Sequence, residues 1–167
     1  MGQHPAPSTR VRPATADDAA ALVVLREVMF EAMGVPPERL ADDTWRRAAH
    51  DWFVANTGSD GVRICVAEVD GEVVAAAVGE VTALIPGPGA PNGSVGLVSN
   101  VATLSAHRGR GLAAAVTDDL MAWFVEQTDV TRVDLFATPG GARIYQPRGF
   151  VARTFPAMSF TVARDPA

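Results

Sequence analysis

Around residue 104 a β-branched run gives way to Arg108-Gly109-Arg110-Gly111-Leu112-Ala113 and then to a helical pattern. A strand that turns through glycines into a helix leaves several backbone N–H groups unpaired at the positive end of the helix dipole. Such a turn binds phosphate. The glycines admit an anion close to the backbone, and Arg108 and Arg110 add charge-assisted contacts. A plain tight turn uses the same glycines, so the hexad alone decides nothing. The Walker pattern is excluded because no Gly-Lys-Ser/Thr follows. The dinucleotide pattern fits by spacing, with Gly109, Gly111 and Ala114 in its three positions and Asp134 about twenty residues on. Its context fails: Asp134 falls in mid-strand, and too little chain follows to complete a doubly wound sheet.

Other chemistry-bearing residues are few. Tyr145 is the single tyrosine and Cys65 the single cysteine of the 167 residues. Cys65 lies in the apolar run Ile64-Cys65-Val66-Ala67 and reads as a buried thiol; no internal disulfide and no cysteine zinc site can form. His50 and His107 share no metal-ligand spacing with carboxylates, so no metal is expected. A net charge of −5 repels a phosphate backbone and argues against nucleic acid. No apolar run approaches the roughly 18 residues of a membrane span and no signal peptide is visible, which makes a cytoplasmic location the default expectation.

The elements that must position these residues follow from periodicity. Residues 1–8 read as a flexible tail and 9–167 as a single domain. Thr9–Thr15 suits a strand, and Asp17-Asp18 open a helix carrying Leu22, Leu25, Met29 and Met33 up to Gly34. Glu38–Ala55 reads as a second helix with Leu40, Trp45, Trp52 and Phe53 near one face. Val62–Val69 and Glu72–Leu84 form a hairpin across Asp70-Gly71. Pro86–Gly93 is a loop, and Ser94–Leu104 is the strand that enters the hexad. After it Leu112, Val116, Leu120 and Phe124 repeat at helical spacing. Arg132–Ala137 is a strand, Gly140–Tyr145 a short helix and Met158–Val162 a final strand. This order requires one mixed sheet covered by helices.

Here the sequence resembles the GNAT superfamily of N-acetyltransferases. Its hallmark Gln/Arg-x-x-Gly-x-Gly/Ala is matched by Arg108, Gly111 and Ala113. Val98–Leu104 looks like the cofactor-lining strand, and Ile144-Tyr145-Gln146-Pro147-Arg148-Gly149-Phe150 looks like Leu-Tyr-x-x-x-Gly-Phe. The resemblance implies an α/β (α+β) fold with a mostly antiparallel mixed sheet of about six to seven strands and about four helices. The diagnostic residues all lie between Val98 and Phe150; the N-terminal half contributes topology alone.

By resemblance, the amides of Arg108, Gly109, Arg110, Gly111, Leu112 and Ala113 cradle the pyrophosphate of acetyl-CoA, the acyl donor. The backbone of Val101, Ala102 and Thr103 pairs with its pantetheine arm. The Val101 amide is offered to the oxyanion of a tetrahedral intermediate, and Tyr145 to the departing sulfur. The plainer reading of Tyr145 is a packed ring. Thr138 stands where the family contacts the pantetheine arm, although a helix cap explains it as well. The carboxylate that some members carry near the start of the cofactor strand is missing from Val95-Gly96-Leu97-Val98. Glu80 is then the candidate base, with a water held by Ser99 or Asn100 as its rival. Met29, Phe30, Trp45 and Trp52 are candidates for an apolar acceptor cleft, or simply core, while Asp42 and Asp43 could meet a cationic amine.

The expected activity is N-acetyl transfer to the primary amine of a small molecule or peptide, with no membrane partner and with a homodimer left open. Two rivals stand beside it: a sensor of the same fold that binds acyl-CoA without turnover, and a nicotinamide-dependent enzyme.

Overall fold

A computed structural model of the chain describes residues 8–162. Residues 1–7 of the expected tail and 163–167 at the other end lie outside the described residues. Ser8 is held in place: its N–H donates to Asp70 Oδ1 and its carbonyl accepts the Asp70 N–H, each at 3.0 Å.

Five strands form one sheet in sequence order: β1 (Thr9–Pro13), β2 (Val62–Val69), β3 (Glu72–Ala83), β4 (Ser94–Thr103) and β5 (Val133–Leu135). The first four pair antiparallel, and β5 joins β4 in parallel. Asp70 and Gly71 both take positive φ, 53° and 87°, as the two-residue turn between β2 and β3 requires. The helices are α1 (Ala19–Ala32), α2 (Pro37–Leu40), α3 (Asp43–Asn56), α4 (Leu112–Gln127) and α5 (Ala142–Tyr145).

Helices cover both faces of the sheet. On one face Leu112, Val116, Leu120 and Phe124 of α4 pack on Cys65, Ala67, Val74 and Ala77. On the other Leu22 and Leu25 of α1 and Phe53 of α3 pack on Val66, Ala76 and Val78. The strands' alternation sends successive side chains to opposite layers. Gly96 and Gly79 make room for Phe124. A Cβ at Gly96 would lie 2.6 Å from Phe124 Cε1, so the ring sits directly on the β4 backbone.

Three expected elements differ. The sheet has five strands among the described residues, fewer than about six to seven, because Met158–Val162 pairs with nothing. Met158 and Phe160 are about nine-tenths exposed: alternation without a partner edge does not make a strand. The last full strand shrinks from Arg132–Ala137 to Val133–Leu135. The expected helix Glu38–Ala55 is two helices, because the Asp42 carboxylate accepts the Thr44 N–H at 2.8 Å and caps a new start. Trp45 Nε1 fastens the break by donating to Leu40 O at 3.3 Å. No helix among the described residues is long and apolar enough to cross a membrane.

Candidate active site

The hexad forms the turn into α4. Gly109 and Gly111 have φ of 75° and 76°, a left-handed backbone that a side chain strains. The result is a run of donors without backbone partners: among the described residues, the N–H groups of Gly109, Arg110, Gly111, Leu112, Ala113 and Ala114 meet no backbone acceptor, and the first bond of the helix is Ala115 N–H to Gly111 O at 3.0 Å. The Arg108 N–H is already used on Ser105 O, so the cradle starts one residue later than expected. The Arg108 side chain turns back, Nε donating to Thr103 O at 3.3 Å, while Arg110 Nη1 lies 3.1 Å from His107 Nδ1.

The strand leading into this turn has an open edge. β5 pairs with β4 only from Gly96 to Val98 and then leaves it. From Ser99 to Thr103 the far edge of β4 has no neighbouring strand among the described residues. The Leu104 N–H donates toward β3, to Val74 O at 2.8 Å, so alternation aims the backbone groups of Thr103 and Val101 at the opening and those of Ala102 at β3. Val101 and the Thr103 N–H are thus placed to pair with an extended ligand, while the Thr103 carbonyl already accepts Arg108 Nε. Ala102, expected to do the same, turns its backbone groups toward Ala76 of β3 instead.

A bulge interrupts β4 at this point, since Ala76 faces Ala102 while Val78 faces Ser99. Asn100 takes up the extra residue with φ 52°, which asparagine tolerates better than most side chains. Ser99 and Asn100, neighbours in sequence, consequently both line one cavity of about 1020 Å³. Its floor includes Val78 and Glu80 of β3, and its walls include Arg26 and Phe30 of α1 and Trp45 and Trp52 of α3. Asn100 Oδ1 accepts from Arg26 Nη1 at 3.0 Å, whereas Asn100 Nδ2 is buried without a partner among the described residues. Burial pulls the Arg26 guanidinium below its ordinary range, and the charge of Glu80 opposes that.

The expected cleft residues divide accordingly. Phe30, Trp45, Trp52 and Glu80 line the cavity; Met29 packs into the core beneath α1. Asp42 lies on the rim with its carboxylate committed to the α3 cap, and Asp43 bonds Arg46 at 3.2 Å. Arg26 was missed in the sequence. It falls four residues from both Leu22 and Phe30, a charge on an otherwise apolar helical stripe, which was the available signal.

Tyr145 belongs to the opposite layer, where α5 packs on α4. It is 8% exposed, stands edge-on to Phe150 at 5.9 Å, and its hydroxyl makes no hydrogen bond among the described residues. Burial pushes its phenol above the ordinary value, so it remains protonated at neutral pH. Arg148 fixes this segment by bridging both oxygens of Asp118 on α4, at 2.6 and 2.7 Å, and donating to Ile144 O. The Thr138 hydroxyl closes the turn that leads into α5, accepting the N–H of Gly141, the residue before the helix, at 3.1 Å. Asp134 is engaged by Arg132 at 2.9 Å and Arg153 at 3.4 Å, and β4–β5 is the sheet's single parallel pair among the described residues, which removes the support for a dinucleotide site. No cluster of metal-ligating side chains occurs among the described residues.

Residues 25–150 match the sequence profile of the acetyltransferase (GNAT) family. The chain belongs to that family. Its fold agrees. A GCN5-related N-acetyltransferase from Ralstonia eutropha JMP134 superposes with a TM-score of 0.80 at 25% identity, over 92% of this chain and 99% of that one. A predicted acetyltransferase from Clostridium acetobutylicum, solved with acetyl-CoA, gives 0.78 at 21% identity over 91% and 96%. Glucosamine-6-phosphate N-acetyltransferase from Arabidopsis thaliana gives 0.70 at 17% over 92% and 98%. No curated protein sequence matches significantly. Family membership makes acetyl transfer the general activity of this GNAT chain.

Proposed function

We propose that this GNAT chain moves the acetyl group of acetyl-CoA to a primary amine by direct attack. The observation that carries the reading is the junction of an open strand edge, Ser99 to Thr103, with a turn whose six successive amides lack backbone acceptors. The two fit one molecule. The amides from Gly109 to Ala114 suit a pyrophosphate at a helix N-terminus, and Val101 and Thr103 suit the amides of a pantetheine arm.

In this reading the donor lies in the gap between β4 and β5, with the cavity of Arg26 and Glu80 on one side and the layer of Tyr145 on the other. The acceptor nitrogen attacks the thioester carbonyl carbon, and the new N–C bond turns the carbonyl oxygen into an oxyanion. The Val101 N–H donates to that oxygen. Collapse breaks the C–S bond, and the thiolate takes the Tyr145 proton, which burial keeps on the phenol at neutral pH. Glu80, the carboxylate on the sheet floor of the cavity, takes the proton that the amine loses, directly or through a water at Ser99. No metal enters this scheme.

The test is thiol release from acetyl-CoA with a panel of primary amines, with the product identified by mass. The expected result is one thiol per acetylated amine. Tight binding of acetyl-CoA with no thiol released by any amine would instead support an acyl-CoA sensor.

A further inference from the structure

Among the described residues six arginines are half-buried, and five of them, Arg12, Arg46, Arg63, Arg132 and Arg148, are ion-paired. Arg26 is the exception: among the described residues no carboxylate lies within 4.0 Å of it. It is nevertheless held in place, with Nη1 bonded to Asn100 Oδ1 at 3.0 Å and its guanidinium carbon 4.8 Å above the Phe30 ring centroid. Asn100 itself is 4% exposed, sits in the left-handed bulge of β4 and leaves Nδ2 unpaired. A half-buried cation, positioned at a cost in strain and an orphaned donor and with Glu80 as a neighbour but not a bonded partner, has room for an anion of its own. Its Nε and Nη2 have no protein acceptor among the described residues, and that edge of the fork matches a planar carboxylate in two parallel bonds.

Resting on the acetyl-transfer reading, we propose that the acceptor is an α-amino carboxylate with an apolar or aromatic side chain, and that Arg26 takes its carboxylate. The remaining groups of the cavity agree. Arg26 and Glu80 stand together on the inner side, opposite charges for the two ends of one amino acid, with Glu80 toward the amine. The outer charges are Glu38, Arg39 and Asp42, and three carboxylates against two guanidiniums disfavour a doubly charged phosphate. Phe30 and Trp45 meet edge to face at 5.7 Å and, with Trp52, give the side chain an aromatic wall. The Trp45 N–H is spent on Leu40 O, which leaves its ring as an apolar surface. Asn100 is a positioning residue that holds the guanidinium in place.

The experiment compares L-phenylalanine, phenylalaninamide and 2-phenylethylamine as acceptors for the whole chain, by thiol release and by calorimetry in the presence of coenzyme A. L-Phenylalanine is expected to exceed both analogues in kcat/KM by about tenfold or more, the effect of losing a charge-assisted pair. Arg26→Gln should raise KM for phenylalanine about 10- to 100-fold and shrink its advantage over 2-phenylethylamine toward unity, while Arg26→Lys, which keeps the charge, recovers part of it. Calorimetry with coenzyme A establishes that each variant is folded. Equal use of all three amines by the wild type, or an Arg26→Gln loss that falls equally on all three, overturns the proposal and leaves acetyl transfer standing. Arg26-dependent binding of phenylalanine without thiol release supports the ligand class and overturns acetyl transfer.

Discussion

The two sides of β4 are built from different materials. Toward the helix α4 the candidate site is backbone: free amides at the hexad and the exposed edge of Val101 and Thr103. Toward α1 and α3 it is side chain: Arg26, Glu80, Ser99, Asn100 and three aromatic rings brought from separate elements. Backbone donors bind what every reaction of one class shares, here the proposed donor, whatever side chains surround them. Side chains on several elements choose one acceptor among many, and they can change without disturbing the first half. Changes to the two sides should therefore have separable effects.

The largest expected effect is on chemistry. Tyr145→Phe should cut kcat about a hundredfold, within the usual range for loss of a general acid, with KM for the amine little changed in steady-state assays. The wild-type rate should hold through neutral pH and fall only above the ordinary phenol value of about 10, because the protonated form is required and burial raises its pKa. Full turnover by the phenylalanine variant would mean that Tyr145 merely packs.

Next in size, Gly111→Val should weaken acetyl-CoA about ten- to a hundredfold by calorimetry. A branched side chain at φ 76° costs about 1–2 kcal/mol and swings the neighbouring amides out of line. Amino-acid binding in the cavity should persist. If both ligands weaken together, the two sides are coupled and the contrast fails.

Gly96→Ala probes the line where the sides meet, at the start of the β4–β5 separation. Its Cβ would press on Phe124, so a loss of about 1–3 kcal/mol in urea unfolding is expected. The smallest effect concerns the foot of α1. Asp18 accepts two bonds from Arg12, at 2.7 and 2.9 Å, and these hold its carboxyl below the ordinary carboxylate range. A depressed carboxyl stabilises the fold above its unfolded value and ceases to as pH falls through the folded one. Wild-type stability should thus decline in acid by about 1–2 kcal/mol more than that of Asp18→Asn, which has no such charge to lose.

The same contrast explains what the sequence made legible. Backbone features leave local marks: Asp70-Gly71 declared the hairpin, the repeat from Leu112 to Phe124 declared α4, and Gly109 with Gly111 declared the turn between them. The cavity leaves none, since Arg26, Glu80 and Asn100 are far apart in the chain and meet only through the bulge and the packing of α1 on β4. A single arginine on an apolar stripe reads as solvated until the fold shows what surrounds it. Met158–Val162 failed for the converse reason: its alternation is local, but a strand needs a partner, and none adjoins it among the described residues. The break in the second helical pattern at Asp42 was also local in cause, a side-chain cap inside a run whose periodicity continued.

The most direct measurement is a backbone amide NMR titration with acetyl-CoA, followed by L-phenylalanine. The predicted first response is confined to Val101, Thr103 and the run Gly109 to Ala114, and the second to Arg26, Glu80, Ser99 and Asn100. Acetyl-CoA that shifts the cavity of α1 and α3 and leaves the hexad unmoved would contradict the account.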